Sequence, residues 1–123
     1  MEIRRIKCKS GNKYSIVNEY WETSNSWGHK STLVASYGEI ESNKVRYYNR
    51  TWECYTYQTC MRGLVEKVLE DEQKRYITDF KEENGISRLT SQKKDMILAE
   101  FNKQSFIQDL MEIKERISNR RFD

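Results

Sequence analysis

The sequence predicts an α+β fold: an antiparallel three- or four-stranded meander, followed by a long helix packed on the sheet and a C-terminal helical hairpin. Three observations predict it. Apolar residues alternate with period two over residues 14–23 and 32–37, and they recur with the helical period of about 3.6 residues over residues 57–123. Only short polar turns separate the strand-like runs, which favours antiparallel hairpins over parallel crossovers.

Residues 2–8 carry Ile3 and Ile6 among basic neighbours and predict a first strand. Ser10, Gly11 and Asn12 supply a tight turn, because Gly and Asn tolerate positive φ. Residues 14–23 place Tyr14, Ile16 and Tyr20 on one face and Val17 and Trp21 on the other, so this strand is expected to be central or covered on both sides. The polar stretch 24–30 reads as a hairpin loop carrying Trp27, Gly28 and the single histidine, His29, expected at the surface. Alternation resumes over residues 32–37, pauses at Gly38, and predicts a last strand over residues 45–50.

Thr56 is the expected N-cap of the first helix, since its hydroxyl can accept from an otherwise unpaired amide of the first turn. Tyr57, Cys60, Met61, Leu64, Val65, Val68 and Leu69 then form a broad apolar stripe, continued by Tyr76, Ile77 and Phe80 to a stop at Asn84-Gly85. Thr90-Ser91 opens a second helix ending near Lys103. Ser105 and Gln108 form a capping-box pattern at the head of a third. There Phe106, Leu110, Ile113 and Ile117 make a narrow seam, read first as an intramolecular helical contact, with a dimer through the same residues as the alternative. Residues 119–123 are expected to fray.

With 123 residues the chain has the size of one domain, residues 1–123, with a β half (1–56) and a helical half (57–123). A mean hydropathy of -0.95 implies an economical core and much solvated helix surface. Residues 1–56 hold nine Lys and Arg against six Asp and Glu, whereas residues 57–123 hold thirteen of each, so the excess positive charge lies on the strands. Three cysteines with no CxxC pair and no leader-like segment point to free thiols in a reducing cytoplasm. No apolar run has the ~18 residues of a membrane span.

The chain offers little for catalysis, and it is read as a non-enzyme without cofactor or metal. A nucleophilic triad needs a base, and His29 stands alone with no nucleophile motif beside it; the five glycines are scattered, which leaves no phosphate-binding loop. Glu39, Glu41 and Glu53 with Lys44 give only a weak metal-nuclease pattern. Nucleic-acid binding has two routes. Arg46, Tyr48 and Arg50 alternate on one strand face, where guanidinium groups and a phenol can grip phosphates and stack on a base; Lys93, Lys94, Arg116, Arg120 and Arg121 lie on the last two helices and the tail. An exposed Trp27 is a candidate contact residue, and so are Glu66, Glu70, Asp71, Glu72 and Asp79 on the first helix, although interspersed Lys and Arg dilute that charge.

Residues 47–58, YYNRTWECYTYQ, form the densest aromatic and hydrogen-bonding stretch, placed where strand pattern gives way to helix pattern. With the upstream WETSNSWGHKS, this segment resembles a motif of short proteins from phages and plasmids of Gram-positive bacteria. The likeness covers roughly residues 14–70. It implies a shared and chiefly structural role for Asn49, Arg50, Thr51, Trp52 and Glu53. Some proteins of that group resemble or accompany anti-CRISPR inhibitors of type II RNA-guided nucleases. The resemblance therefore implies a mobile-element inhibitor in the bacterial cytoplasm, whose partner is a host CRISPR effector nuclease or its guide-RNA complex. A small nucleic-acid-binding regulator of a phage or plasmid is the alternative, and a helix-mediated structural oligomer the third reading.

Overall fold

The computed structural model describes residues 2–35, 51–54 and 56–122, with only the backbone of Ala35 and Thr51–Cys54. The architecture is α+β. Four strands, β1 (Glu2–Lys7), β2 (Lys13–Glu22), β3 (Trp27–Ala35) and β4 (Thr51–Cys54), pair antiparallel in the order β1-β2-β3-β4. Among the described residues three helices follow: α1 (Tyr57–Asn84), α2 (Ser91–Asn102) and α3 (Ser105–Ser118).

The strand registers decide which side chains share a face. In β2 the buried residues Tyr14, Ile16 and Asn18 alternate with less buried neighbours, and their partners across β3 are Ala35, Leu33 and Ser31. This face receives the helices. Ile6, Cys8, Tyr14, Ile16 and Leu33 from the sheet region meet Met61, Leu64, Val65 and Val68 of α1, Phe101 of α2 and Ile107, Leu110, Ile113 and Ile117 of α3 in one core. Asn18 and Ser31 are buried in it as a cross-strand pair, with the Ser31 hydroxyl donating to Asn18 Oδ1 at 2.6 Å. That bond, with the Asn18 amide donating toward Glu2 and Met61, satisfies polar groups that would otherwise be costly to bury.

The helix boundaries follow their expected caps in two of three cases. Thr56 and Thr90 accept from the amides of Thr59 and Lys93. Gly85 closes α1 in the left-handed region at φ 63°, a backbone conformation that residues with a Cβ rarely adopt. At the third helix the pattern differs: Gln104 is the N-cap, makes no side-chain cap bond, and Ser105 is already helical. The seam is consumed within the chain. Leu110, Ile113 and Ile117 are fully buried, and Phe106 is half-buried against Tyr14 at 6.4 Å between ring centroids.

One expectation for the strands is corrected. The loop over residues 24–30 shrinks to a tip at Thr23–Ser26, closed by Thr23 N donating to Ser26 O at 2.7 Å, because Trp27 to Lys30 pair in register with Glu22 to Glu19. Gly28 then lies directly under the Trp21 indole: an added Cβ would sit 2.7 Å from Trp21 Cζ2. The strand expected over residues 45–50 lies outside the described residues, and Thr51–Cys54, which pairs with β3, is a strand that periodicity does not mark. The tail is also held more firmly than expected. Arg121 N donates to Arg116 O at 2.9 Å, and Phe122 packs against the core with the Arg4 guanidinium 5.3 Å from its ring.

Candidate interaction surface

At the turn end of the β2–β3 hairpin the helix-facing side of the sheet runs past the start of α1. Alternation and register put Tyr20, Glu22, Trp27 and His29 on that side, with Tyr20 opposite His29 and Glu22 opposite Trp27. Tyr20 and Trp27 are stacked at 6.3 Å between centroids and 28° between planes, while His29 meets Trp27 edge-on at 6.0 Å and 89°. Tyr57, the first residue of α1, closes the inner side with its ring 4.5 Å from that of His29.

The cluster is graded from inside to outside. His29, expected at the surface, is half-buried, and its Nδ1 is enclosed without a hydrogen-bond partner. Cys60, fully buried behind it, donates its thiol to His29 O at 3.3 Å. Tyr20 and Trp27, by contrast, remain 51% and 53% exposed. Two large rings stacked together yet half in water form an apolar patch of the kind that marks a contact surface. Partial desolvation, then the Glu22 charge and a side-chain hydrogen bond to it, raise the Tyr20 pKa above its ordinary value.

The other predicted site residues are not brought to this patch. The helical rotation of about 100° per residue puts Glu66 and Glu70 on one side of α1, Asp71 about a quarter-turn further round, and Glu72 and Asp79 on the far side. Local cations also neutralise most of them. Lys114 lies 3.7 Å from Glu66, Lys74 lies 2.8 Å from Glu70, and Lys67 lies 3.4 Å from Asp71. Glu72 is buried and bonded to Arg75 at 2.6 Å. Arg46, Tyr48, Asn49 and Arg50 lie outside the described residues. Thr51, Trp52 and Glu53 lie in β4, where Thr51, Trp52 and Glu53 pair with Thr32, Ser31 and Lys30.

A second polar arrangement escaped the sequence entirely. Asp109 of α3 is 2% exposed and accepts from Ser10 Oγ (2.7 Å), Asn12 Nδ2 (2.9 Å) and Tyr14 OH (2.7 Å). Beside it, Lys9 N donates to Glu112 at 3.0 Å and Arg116 donates to Lys7 O at 2.8 Å. All three acceptances come from the β1–β2 turn and the start of β2, so the carboxylate works as a structural latch. A cleft of about 480 Å³ lined by Lys9, Ser10, Gln108 and Glu112 opens next to it. A more apolar cleft of about 340 Å³ lies between α1 and α2, lined by Tyr76, Phe80, Met96 and Ile97.

Among the described residues no group of three His, Cys, Asp or Glu side chains is placed to hold a metal ion, and no helix is long and apolar enough to cross a membrane. No protein-family model, curated protein or solved structure matches the chain.

Proposed function

We propose that this protein is a non-enzymatic inhibitor that binds a protein partner through the Tyr20–Trp27 patch. The observation that supports binding is the exposure of two stacked aromatic rings at the end of a hairpin whose inner side is packed on α1. Tyr and Trp supply large contact area at small entropic cost, and they are over-represented where protein partners bind most tightly.

The identity of the partner rests on the likeness of YYNRTWECYTYQ to phage and plasmid proteins, some associated with anti-CRISPR activity. In this reading the protein acts in the bacterial cytoplasm on a type II RNA-guided effector nuclease or its guide-RNA complex. It blocks engagement of nucleic acid, which such enzymes hold in basic channels. The acidic residues of α1 contribute less to this than the sequence suggested, because they are spread round the helix and paired locally.

The test is a cleavage assay with purified type II effectors at molar excess of the protein. Inhibition that Tyr20→Ala and Trp27→Ala weaken together supports the reading. Unimpaired cleavage, with a salt-sensitive shift of DNA in its place, favours the nucleic-acid-binding regulator.

A further inference from the structure

We propose that Tyr20, Glu22 and Trp27 form a receptor for a guanidinium group on a basic protein surface, an arginine side chain of the partner. This deepens the binding function proposed above and rests on its assignment of the patch as the contact surface.

Three features of the hairpin end carry the inference. Glu22 and Trp27 are directly opposed across β2 and β3, and Tyr20 is two residues before Glu22, so all three side chains leave the same side of the sheet. The stacked rings of Tyr20 and Trp27 are half exposed, which leaves ring surface open to a ligand. Glu22 is exposed at the rim and has no ion pair among the described residues; the nearest cation in the hairpin, Lys30, projects from the opposite side, 3.9 Å from Glu19.

Aromatic faces carry negative π charge, and a carboxylate beside them adds a full one. A planar guanidinium satisfies both at once, stacking on a ring while its N–H groups donate to the carboxylate. An ammonium group has the charge without the plane. A nucleic-acid strand could stack a base on Trp27, but its phosphates would then face Glu22 with no Lys or Arg among the described residues on that side of the hairpin. The arrangement therefore selects a basic protein surface over a nucleic acid.

The experiment titrates the 123-residue chain with an acetylated Gly-Arg repeat peptide, the corresponding Gly-Lys peptide and an oligo-dT strand, following the backbone amide resonances of the β2–β3 hairpin end, which every variant retains. The Arg peptide is expected to shift those resonances, with affinity about fivefold or more weaker in Glu22→Gln and in Trp27→Leu, and nearly kept in Trp27→Phe. Both positions are exposed, so unchanged circular dichroism is the expected control. Equal Arg-peptide binding by wild type and Glu22→Gln, or binding of oligo-dT in preference to the peptide, overturns the proposal.

The cleavage assay separates the two ideas. If Trp27→Leu abolishes inhibition while Glu22→Gln leaves peptide binding unchanged, the guanidinium receptor is overturned and the inhibitor stands. If the peptide binds with the expected variant pattern and no effector is inhibited, the receptor stands and the nuclease target is overturned.

Discussion

Asp109 shows how much one side chain can govern. Its carboxylate collects three donors in a site almost closed to water, and removing it leaves those donors without their acceptor. Asp109→Ala should cost about 3 kcal/mol by urea unfolding. Asp109→Asn should also destabilise, because an amide puts a donor where Asn12 and Tyr14 both donate. A double-mutant cycle with Tyr14→Phe should give a coupling of about 1 kcal/mol or more; simple additivity would show that the latch is not cooperative. At the other end of the sheet, Tyr20 is the residue to titrate. Its pKa is raised in the fold, so the neutral phenol is the favoured form. The associated stability is intact below about pH 10 and is lost as pH rises from that unfolded value through the higher folded one. Phenolate absorbance should show a late-titrating component that Glu22→Gln moves back toward the ordinary range.

Elements were legible where their signals are local. Thr56, Gly85 and Thr90 mark helix ends through bonds made within a few residues, so the sequence placed α1 and α2 closely. Ser105 misled because a capping box is a pattern of residue types, while the geometry put the turn one residue earlier, at Gln104. The start of β3 was hidden for another reason. Trp27, Gly28 and His29 look like a loop alone, and become strand only once paired with Glu22, Trp21 and Tyr20. The same pairing created the aromatic patch, which is why Trp27 was suspected singly and its companions Tyr20, Glu22 and Tyr57 were not. Asp109 was illegible because its partners lie 95 to 99 residues away. Gly28→Ala tests the paired hairpin: the new methyl meets the Trp21 indole at 2.7 Å and should cost about 1–3 kcal/mol. Thermal unfolding should show that loss shrinking when Trp21→Leu is added, since the smaller side chain makes room.

For the whole molecule, the core is one cluster to which the sheet region and all three helices contribute. Ile113 therefore serves the fold before any assembly. Ile113→Asp should unfold the chain, seen as lost helical circular dichroism, rather than leave a folded monomer in sedimentation; a folded monomer would revive the seam as a dimer interface. The α+β class, the long first helix and the inward seam could all be read from periodicity. The packing between halves could not, because it depends on side chains far apart in sequence.

The latch between the β1–β2 turn and α3 also has a bearing on synthesis. Its donors, Ser10, Asn12 and Tyr14, are translated 95 to 99 residues ahead of their acceptor, Asp109. Until α3 has cleared the ribosome, the first hairpin waits with its polar end unfastened and its apolar face uncovered. Stalled chains ending before residue 105 should accordingly remain protease-sensitive, and those that expose residue 118 should become resistant.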